Sequence, residues 1–112
     1  MFADYLQERE GKLVKSNPKG FAIYGYNCIP GFPGTYVYIQ DIYTGRDYRK
    51  TGVAKELADE IAAEAKSQGV NAMVGSVDCN AHGAHESLQV LMAYGMKLFT
   101  VSGQTIYMVK EL

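Results

Sequence analysis

The middle of the chain carries the pattern that most constrains its fold: a strand, a tight turn, a helix and a second strand in close succession. Residues 36–44 are rich in β-branched and aromatic side chains and predict a strand. In residues 52–68, apolar side chains recur four residues apart, which predicts an amphipathic helix. Residues 70–77 are again apolar and predict a strand. Elements joined this closely predict a right-handed crossover between two parallel strands.

Local signals predict the remaining elements and, with them, the fold class. They are a helix over 2–10 ended by Gly11, strands over 12–16 and 21–27 around the turn Asn17-Pro18-Lys19-Gly20, a loop over 29–34, a helix over 86–94 ended by Gly95, and a closing hairpin over 96–101 and 105–110. We therefore expect one α/β (α+β) domain over residues 1–112. Its central sheet should be mixed and largely antiparallel, with about six strands, one parallel β-α-β crossover and helices packed on it.

Length, composition and charge limit the classes of protein to which the chain can belong. The chain has 112 residues, of which 47% are hydrophobic and 21% charged, as in a compact globular domain. A formal net charge of −1 argues against nucleic acid as a partner. Cys28 and Cys79 make no disulfide framework, and no apolar run approaches the length of a membrane span. Because the N-terminus also lacks the features of a secretion signal, we expect a cytoplasmic protein with no membrane partner.

The turn before the first long helix is the first candidate site. It carries positive charge at Arg46, Arg49 and Lys50 and a glycine at Gly52. The first N–H groups of a helix have no partner within the helix, and they lie at the positive end of its dipole. This turn therefore predicts a site for a phosphate or pyrophosphate group.

The same turn carries the motif of a known family. The segment Arg49-Lys50-Thr51-Gly52-Val53-Ala54 resembles the acyl-coenzyme A signature of the GNAT-type N-acetyltransferases, Arg/Gln-x-x-Gly-x-Gly/Ala. Residues 38–44, Tyr-Ile-Gln-Asp-Ile-Tyr-Thr, and Asp47-Tyr48-Arg49 resemble the preceding strand and turn of family members that acetylate diamines and other small amines. Ser87-Leu88, with Gly95 eight residues after Ser87, resembles the family's last helix.

The resemblance implies a GNAT-like fold with helices packed on both faces of the sheet. It also implies a cosubstrate and the residues that bind it. Acetyl-coenzyme A would place its pyrophosphate on the N–H groups of residues 49–54 and pair its pantetheine arm with the strand edge at residues 42–44. The residues that would contact it are Ile42, Tyr43, Thr44, Arg49, Lys50, Thr51, Gly52, Val53, Ala54, Lys55, Asn80 and Ser87. A side chain at Gly52 would collide with the phosphate. The thioester would lie where the two parallel strands separate, near Asp41 and Asp78, and no metal is implied.

The chain departs from the family at two positions that usually handle protons. Gln40 occupies the position of a frequent glutamate base, and glutamine can orient a water or an acceptor but cannot take a proton. Leu91 occupies the position of a frequent tyrosine acid, while Tyr94 lies three residues further along the helix. Asp41 is the leading candidate for base or for anchor of a cationic acceptor. Gln40 and Tyr94 are further catalytic candidates. His82, His85 and Glu86 are alternative candidates for the role of Asp41.

The expected function is transfer of an acetyl group from acetyl-coenzyme A to a primary amine by direct attack. The acceptor would be a small amine or polyamine, or a lysine or N-terminus of a protein. The alternative is a GNAT-like acyl-coenzyme A binding or protein-interaction module with impaired catalysis.

Three further patterns leave alternatives open. Five tyrosines could line an aromatic acceptor pocket or simply pack the sheet: Tyr24, Tyr26, Tyr36, Tyr38 and Tyr43. Cys79, His82 and His85 could bind a metal, although their spacing fits no standard site. The exposed closing hairpin and the small core are compatible with a homodimer.

Overall fold

A computed structural model of the chain describes residues 12–29, 31 and 34–112. Its elements are β1 (Leu13–Asn17), β2 (Gly20–Tyr26), β3 (Val37–Thr44), a 3-10 helix (Arg46–Tyr48), α1 (Val53–Ser67), β4 (Ala72–Asp78), α2 (Ala84–Ala93), β5 (Lys97–Ser102) and β6 (Thr105–Glu111). The strands form one sheet in the order β1-β2-β3-β4-β6-β5. Strands β3 and β4 are parallel, and the other neighbouring pairs are antiparallel. The mixed, largely antiparallel sheet with one β-α-β crossover is therefore confirmed.

The described elements begin and end close to their predicted bounds. The helix predicted over 52–68 is Val53–Ser67, and the strand predicted over 36–44 is Val37–Thr44. The 3-10 helix at Arg46–Tyr48 was not predicted, because the turn chemistry of this segment does not distinguish it from an irregular connection. The helix predicted over 2–10, and part of the loop predicted over 29–34, lie outside the described residues.

The core lies between α1 and one face of the sheet, which we call the helix face. The apolar stripe of α1 is buried there, against the central strands. Strand pairing sets which side chains share this face, because side chains alternate along a strand and directly paired residues point the same way. Tyr24 pairs with Ile39 and Tyr26 with Val37, so all four lie on the helix face. Tyr38 pairs with Gly25 and lies on the opposite side, which we call the far face.

The second helix, α2, packs on the same face as α1. Gly75 lies on the helix face because it pairs with Ile39, and a Cβ built at Gly75 would come within 3.3 Å of the Leu91 side chain of α2. The absence of a side chain at Gly75 thus lets α2 approach β4 closely. Both described helices cover the helix face, so the prediction of helices on the far face as well stays a prediction.

Two side-chain clusters attach α1 to its neighbours. Glu64 accepts hydrogen bonds from the hydroxyl groups of Tyr24 (3.0 Å) and Tyr26 (2.6 Å), and Lys15 Nζ lies 3.4 Å from the same carboxylate. This cluster joins α1 to the β1–β2 hairpin. On another side of α1, Asp59 accepts a hydrogen bond of 2.7 Å from the hydroxyl of Tyr94, which follows α2.

Three global features complete the description. In the part of the chain that the structure describes, no helix is long and apolar enough to cross a membrane. Cys28 and Cys79 are free and exposed. Within residues 12–29, 31 and 34–112, no group of three or more His, Cys, Asp or Glu side chains could hold a metal ion, and Cys79, His82 and His85 form no such group.

Candidate functional site

The parallel strands β3 and β4 separate part of the way along their length. They pair at three positions, of which the last joins Ile39 to Gly75. Beyond this point β3 continues to Thr44 and β4 to Asp78, but the two strands no longer pair. The β3 edge from residue 40 to 44 therefore has backbone groups that are not used by β4. An extended ligand can pair with such an edge as an added strand.

A β-bulge marks the place where this separation begins. In the β2–β3 ladder, Ile23 pairs with Asp41 and Tyr24 with Ile39, so Gln40 is the extra residue of β3. Bulges bend a strand and redirect its side chains, and they are common beside functional sites. The pairing with Ile23 puts Asp41 on the far face, where its side chain is exposed.

The turn between β3 and α1 holds two residues in the left-handed conformation. Lys50 has φ 64° and Gly52, the residue before the helix, has φ 88°. A Cβ at Gly52 would meet no atom of the described residues within 4 Å, so their packing leaves space beside it. Glu56 donates the first intrahelical hydrogen bond, to the carbonyl of Gly52, at 3.0 Å. The N–H groups of Val53, Ala54 and Lys55 thus have no partner within the helix, and no side chain of the described residues caps them.

The positively charged side chains of this turn, Arg46, Arg49 and Lys50, are exposed. Arg49 Nε donates to the carbonyl of Thr44 at 3.3 Å, which folds the turn back over the end of β3. The Arg49 guanidinium also lies 6.0 Å from the centre of the Tyr43 ring. The Thr51 hydroxyl donates to the carbonyl of Tyr48, and Lys55 forms an exposed ion pair with Asp59 at 2.8 Å.

The segment after β4 brings a second helix start to the same edge of the sheet. The carboxyl ends of parallel strands lie at one edge, so the N-termini of α1 and α2 are both there. Asp78, the last residue of β4, accepts a hydrogen bond of 2.9 Å from the backbone N–H of Asn80. The Asn80 side chain donates to that of Gln104. Ser87 lies in the first turn of α2 and is exposed.

Most of the predicted site residues are therefore brought together at one sheet edge. They are Gln40 and Asp41, the strand segment 42–44, the turn and helix start 49–55, and Asn80 and Ser87 after β4. Tyr94 lies at the other end of α2, with its hydroxyl on Asp59. Burial and the hydrogen bond to Asp59 raise the pKa of Tyr94 well above the ordinary value for tyrosine. Leu91 packs on Gly75 and offers no group that transfers protons.

The five tyrosines do not form one pocket. Tyr24 and Tyr26 lie on the helix face with their hydroxyl groups on Glu64. Tyr38 and Tyr43 lie on the far face, where Tyr43 stacks on Phe21 with ring centres 5.5 Å apart. Tyr36 is buried, and its hydroxyl exchanges hydrogen bonds with the backbone of Ile29. Strand alternation divides the other four tyrosines between the two faces, so the five residues do not line a single pocket.

Sequence reasoning missed a hydrogen bond that lies beside the point of separation. The hydroxyl groups of Tyr38 and Ser76 are 2.6 Å apart and join β3 to β4 on the far face. No local signal marks this pair, because the contact depends on the register between strands 38 residues apart in sequence.

This arrangement fits acetyl-coenzyme A by two independent features. The first is a helix start with three N–H groups that lack intrahelical partners, beside a glycine with free space, which suits a pyrophosphate. The second is the β3 edge that β4 leaves unpaired, which suits the amide groups of a pantetheine chain. The bound thioester would supply an activated acetyl group.

Comparison with known proteins agrees with this geometry. The sequence model of the Acetyltransferase (GNAT) family matches residues 5–89. Among curated protein sequences, none matches the chain significantly.

Three solved structures show the same fold. A protein from Desulfovibrio desulfuricans described as of the GNAT family is 13% identical, with TM-score 0.77, over 96% of this chain and 75% of that one. An aminoglycoside 6'-N-acetyltransferase complexed with coenzyme A is 14% identical, with TM-score 0.74, over 96% and 76%. A chain of the NatC complex bound to Gag peptide and coenzyme A is 13% identical, with TM-score 0.69, over 97% and 77%. The family match covers well over half of the sequence, and the chain belongs to the GNAT family of acetyltransferases, acyltransferases that use acetyl-coenzyme A.

Proposed function

We propose that the chain is an N-acetyltransferase that moves the acetyl group of acetyl-coenzyme A to a primary amine by direct attack. The observation that carries this proposal is the separation of β3 from β4 after Ile39 and Gly75. It leaves an unpaired strand edge that leads directly into the left-handed turn and the uncapped start of α1. A pantetheine arm and a pyrophosphate need these two features in this order along one ligand.

The proposed binding mode assigns a role to each group at the turn. The N–H groups of Val53, Ala54 and Lys55 bind pyrophosphate oxygens, and Arg49 and Lys50 add charge-assisted contacts from exposed positions. The backbone of residues 42–44 pairs with the pantetheine amides. Asn80 and Ser87 contact the cosubstrate from the segment that follows β4.

The proposed reaction needs few proton transfers from the protein. The neutral amine attacks the thioester carbonyl, the carbon–sulfur bond breaks, and the proton lost by nitrogen ends on the thiol. A thiolate is a good leaving group, with a pKa of about 8.5 in a cysteine-like reference. Holding the amine and the carbonyl in attack geometry can supply several kcal/mol of the barrier reduction.

Asp41 is the proposed base or anchor for the amine. It is exposed on the far face, next to the bulge at Gln40 and to the apex where the strands separate. Asp78 ends β4 two residues after Ser76, so alternation gives it the same face. Two exposed carboxylates on the separating strands favour an acceptor that carries positive charge. Gln40 is proposed to orient the acceptor or a water.

Two acceptor classes fit this description, a small polyamine or aminoglycoside and the N-terminus or a lysine of a protein. The similar folds include one complexed with coenzyme A whose name specifies aminoglycosides and one bound to a peptide. An acceptor panel distinguishes the classes. Release of free thiol from acetyl-coenzyme A should depend on the added amine, and spermidine, an aminoglycoside and a lysine-containing peptide each test one class.

The second candidate function is a coenzyme A binding module without turnover. Gln40 and Leu91 favour this alternative, because they stand where family members often have a glutamate base and a tyrosine acid. Leu91 packs as an apolar side chain on Gly75. In that case acetyl-coenzyme A would bind, but no amine would accelerate thiol release.

A pair of glycine variants tests the phosphate site. Gly52 and Gly69 flank α1 with similar φ values, 88° and 80°, and a Cβ at either one meets no atom within 4 Å. Alanine at either position should therefore cause similar strain, about 1–2 kcal/mol. Gly52→Ala should weaken coenzyme A binding at least tenfold in calorimetry, whereas Gly69→Ala should bind like the wild type. Equal affinity in the two variants would contradict the site.

Asp41→Asn tests the proposed chemistry separately from binding. We expect kcat to fall at least tenfold while the affinity for coenzyme A stays within about twofold, because Asp41 contacts the amine rather than the cosubstrate. Asp47→Asn removes an exposed carboxylate from the neighbouring 3-10 helix and serves as control. A fully active Asp41→Asn variant would remove this residue from the mechanism.

We also propose a homodimer in which β5 pairs with the β5 strand of a second copy. β5 is an edge strand, and all six of its residues are exposed. Its only charge, Lys97, is at one end, so antiparallel pairing about a twofold axis would put the two lysines at opposite ends of the new ladder.

A further inference from the structure

The hydrogen bond between Tyr38 and Ser76 lies at the apex where β3 and β4 separate. Tyr38 is paired with Val74, and the next pair, Ile39 with Gly75, is the last of the ladder. Ser76 is thus the first residue of β4 beyond the ladder, and the Tyr38 hydroxyl reaches forward to it at 2.6 Å. The side chains make a cross-strand bond just where the backbone pairing between β3 and β4 stops.

This bond is on the side from which the amine must approach. Val53 at the start of α1 belongs to the core on the helix face, so the proposed pyrophosphate site lies on that side of the sheet. A cosubstrate bound there with its thioester at the apex leaves the far face as the path for the acceptor. Tyr38 and Ser76 are both on the far face, since Tyr38 pairs with Gly25 and Ser76 follows Gly75, which lies on the helix face.

The hydrogen bond between Tyr38 and Ser76 joins two uncharged hydroxyl groups and is strengthened by partial burial. Both residues are half-buried, which raises the strength of a hydrogen bond relative to one in water. Burial raises the pKa of Tyr38 above its ordinary value, although the hydrogen bond to Ser76 opposes this shift. The phenol therefore stays protonated at neutral pH. Whichever hydroxyl donates to the other, one hydroxyl hydrogen of the pair remains available for another acceptor.

We propose that the Tyr38–Ser76 hydroxyl pair is a positioning device for acetyl transfer, because it fixes the spacing of β3 and β4 at the apex where thioester and amine meet. The proposal rests on the proposed N-acetyltransferase function and adds two residues to it. An error of about 1 Å in the relative position of reacting groups can cost about a hundredfold in rate. A bond that holds the two strands at the apex therefore affects the transfer step more than the binding of the remote pyrophosphate.

The test compares kcat with coenzyme A affinity in hydroxyl-deletion variants. Tyr38→Phe and Ser76→Ala should each lower kcat about tenfold or more and leave the dissociation constant of coenzyme A within about twofold. The double variant should be no slower than the slower single variant, because each change breaks the same bond. Ser76→Thr, which keeps a hydroxyl at this position, should restore most of the rate.

Tyr24→Phe is the control, because it also removes a hydrogen-bonded phenol hydroxyl, here from a buried tyrosine in the Glu64 cluster on the helix face. It should lower the melting temperature without lowering kcat. Unchanged kcat in Tyr38→Phe, parallel loss of coenzyme A affinity, or additive effects in the double variant would overturn the proposal. A wild-type chain that binds coenzyme A but transfers nothing overturns the positioning role and the transferase function together, whereas an active wild type with active variants overturns the positioning role alone.

Discussion

The side chain of Leu91 lies over Gly75, with a methyl carbon 3.3 Å from the point that a Cβ at residue 75 would occupy. The sulfur of Met96 is 3.2 Å from the same point. Gly75 is also the last β4 residue that pairs with β3. The close approach of α2 to the sheet and the last pair of the parallel ladder thus meet at one glycine.

Gly75→Val should destabilise the protein through overpacking. Its branched side chain would enter space that Leu91 and Met96 fill, at a cost of about 1–3 kcal/mol in the free energy of unfolding. Urea unfolding of the variant measures this cost. Leu91→Ala in the Gly75→Val background should recover part of the loss by making room. A Gly75→Val protein as stable as the wild type would show that α2 shifts without penalty.

Glu64→Gln should weaken the attachment of the β1–β2 hairpin to α1 in a pH-dependent way. Burial alone would raise the pKa of Glu64, but hydrogen bonds from Tyr26 and Tyr24 and the charge of Lys15 outweigh it and lower the pKa. A carboxylate with a lowered pKa in the folded state stabilises the fold above its unfolded pKa, about 4.3. This contribution disappears as the pH falls through the folded pKa.

The expected loss for Glu64→Gln is about 1.5–3 kcal/mol at pH 7, the range for hydrogen bonds to a charged group. The difference from the wild type should shrink as the pH falls below about 4. Urea unfolding at both pH values measures it, with Glu60→Gln, an exposed residue of the same helix, as control. A difference that grows toward acid pH would contradict the assigned pKa direction.

Much of the fold could be predicted from the sequence because its signals are local. The helix α1 has an apolar repeat of four and a glycine at each end, Gly52 and Gly69, and its observed bounds differ from the predicted ones by one residue. The turn motif at residues 49–54 depends on the same local chemistry. The motif needs a glycine at residue 52 because Gly52 has a positive φ, a backbone conformation that favours glycine.

The features that escaped prediction depend on contacts between distant segments. The bulge at Gln40 exists only relative to β2, because Ile23 and Tyr24 pair with Asp41 and Ile39. The division of the tyrosines between faces follows from this same register. The bond of Tyr94 to Asp59 requires the end of α2 to lie beside α1, which no pattern within either helix encodes.

The phenol groups of Tyr24, Tyr26 and Tyr94 should titrate late in the folded protein. Burial raises the pKa of each, and the hydrogen bonds to Glu64 or Asp59 raise it further. Because these pKa values are higher in the folded state, the stabilisation is complete below the ordinary tyrosine pKa of about 10 and is lost as the pH rises above it. When phenolate absorbance is followed as the pH rises, some of the tyrosines should therefore ionise only at the alkaline pH at which the protein unfolds. We call these tyrosines the late fraction.

Phenylalanine variants identify these groups. Tyr24→Phe should remove one phenol from the late fraction, and Tyr94→Phe another. If every tyrosine of the folded chain titrated together near the ordinary value, the two carboxylate clusters would not be formed in solution.

The β5 edge should decide the oligomeric state. Leu98 and Val101 point toward the helix face, where they are 64% and 55% exposed. Among the described residues, no strand pairs with the outer backbone edge of β5. Light scattering should give the mass of a dimer for the wild type. Leu98→Lys, which adds a charge to the edge, should shift the protein toward monomer.

The control is Val90→Lys, which charges a comparably exposed position on α2, at 56%, and should leave the dimer intact. A wild-type monomer at every concentration, or a dimer that only Val90→Lys disrupts, would contradict pairing through β5.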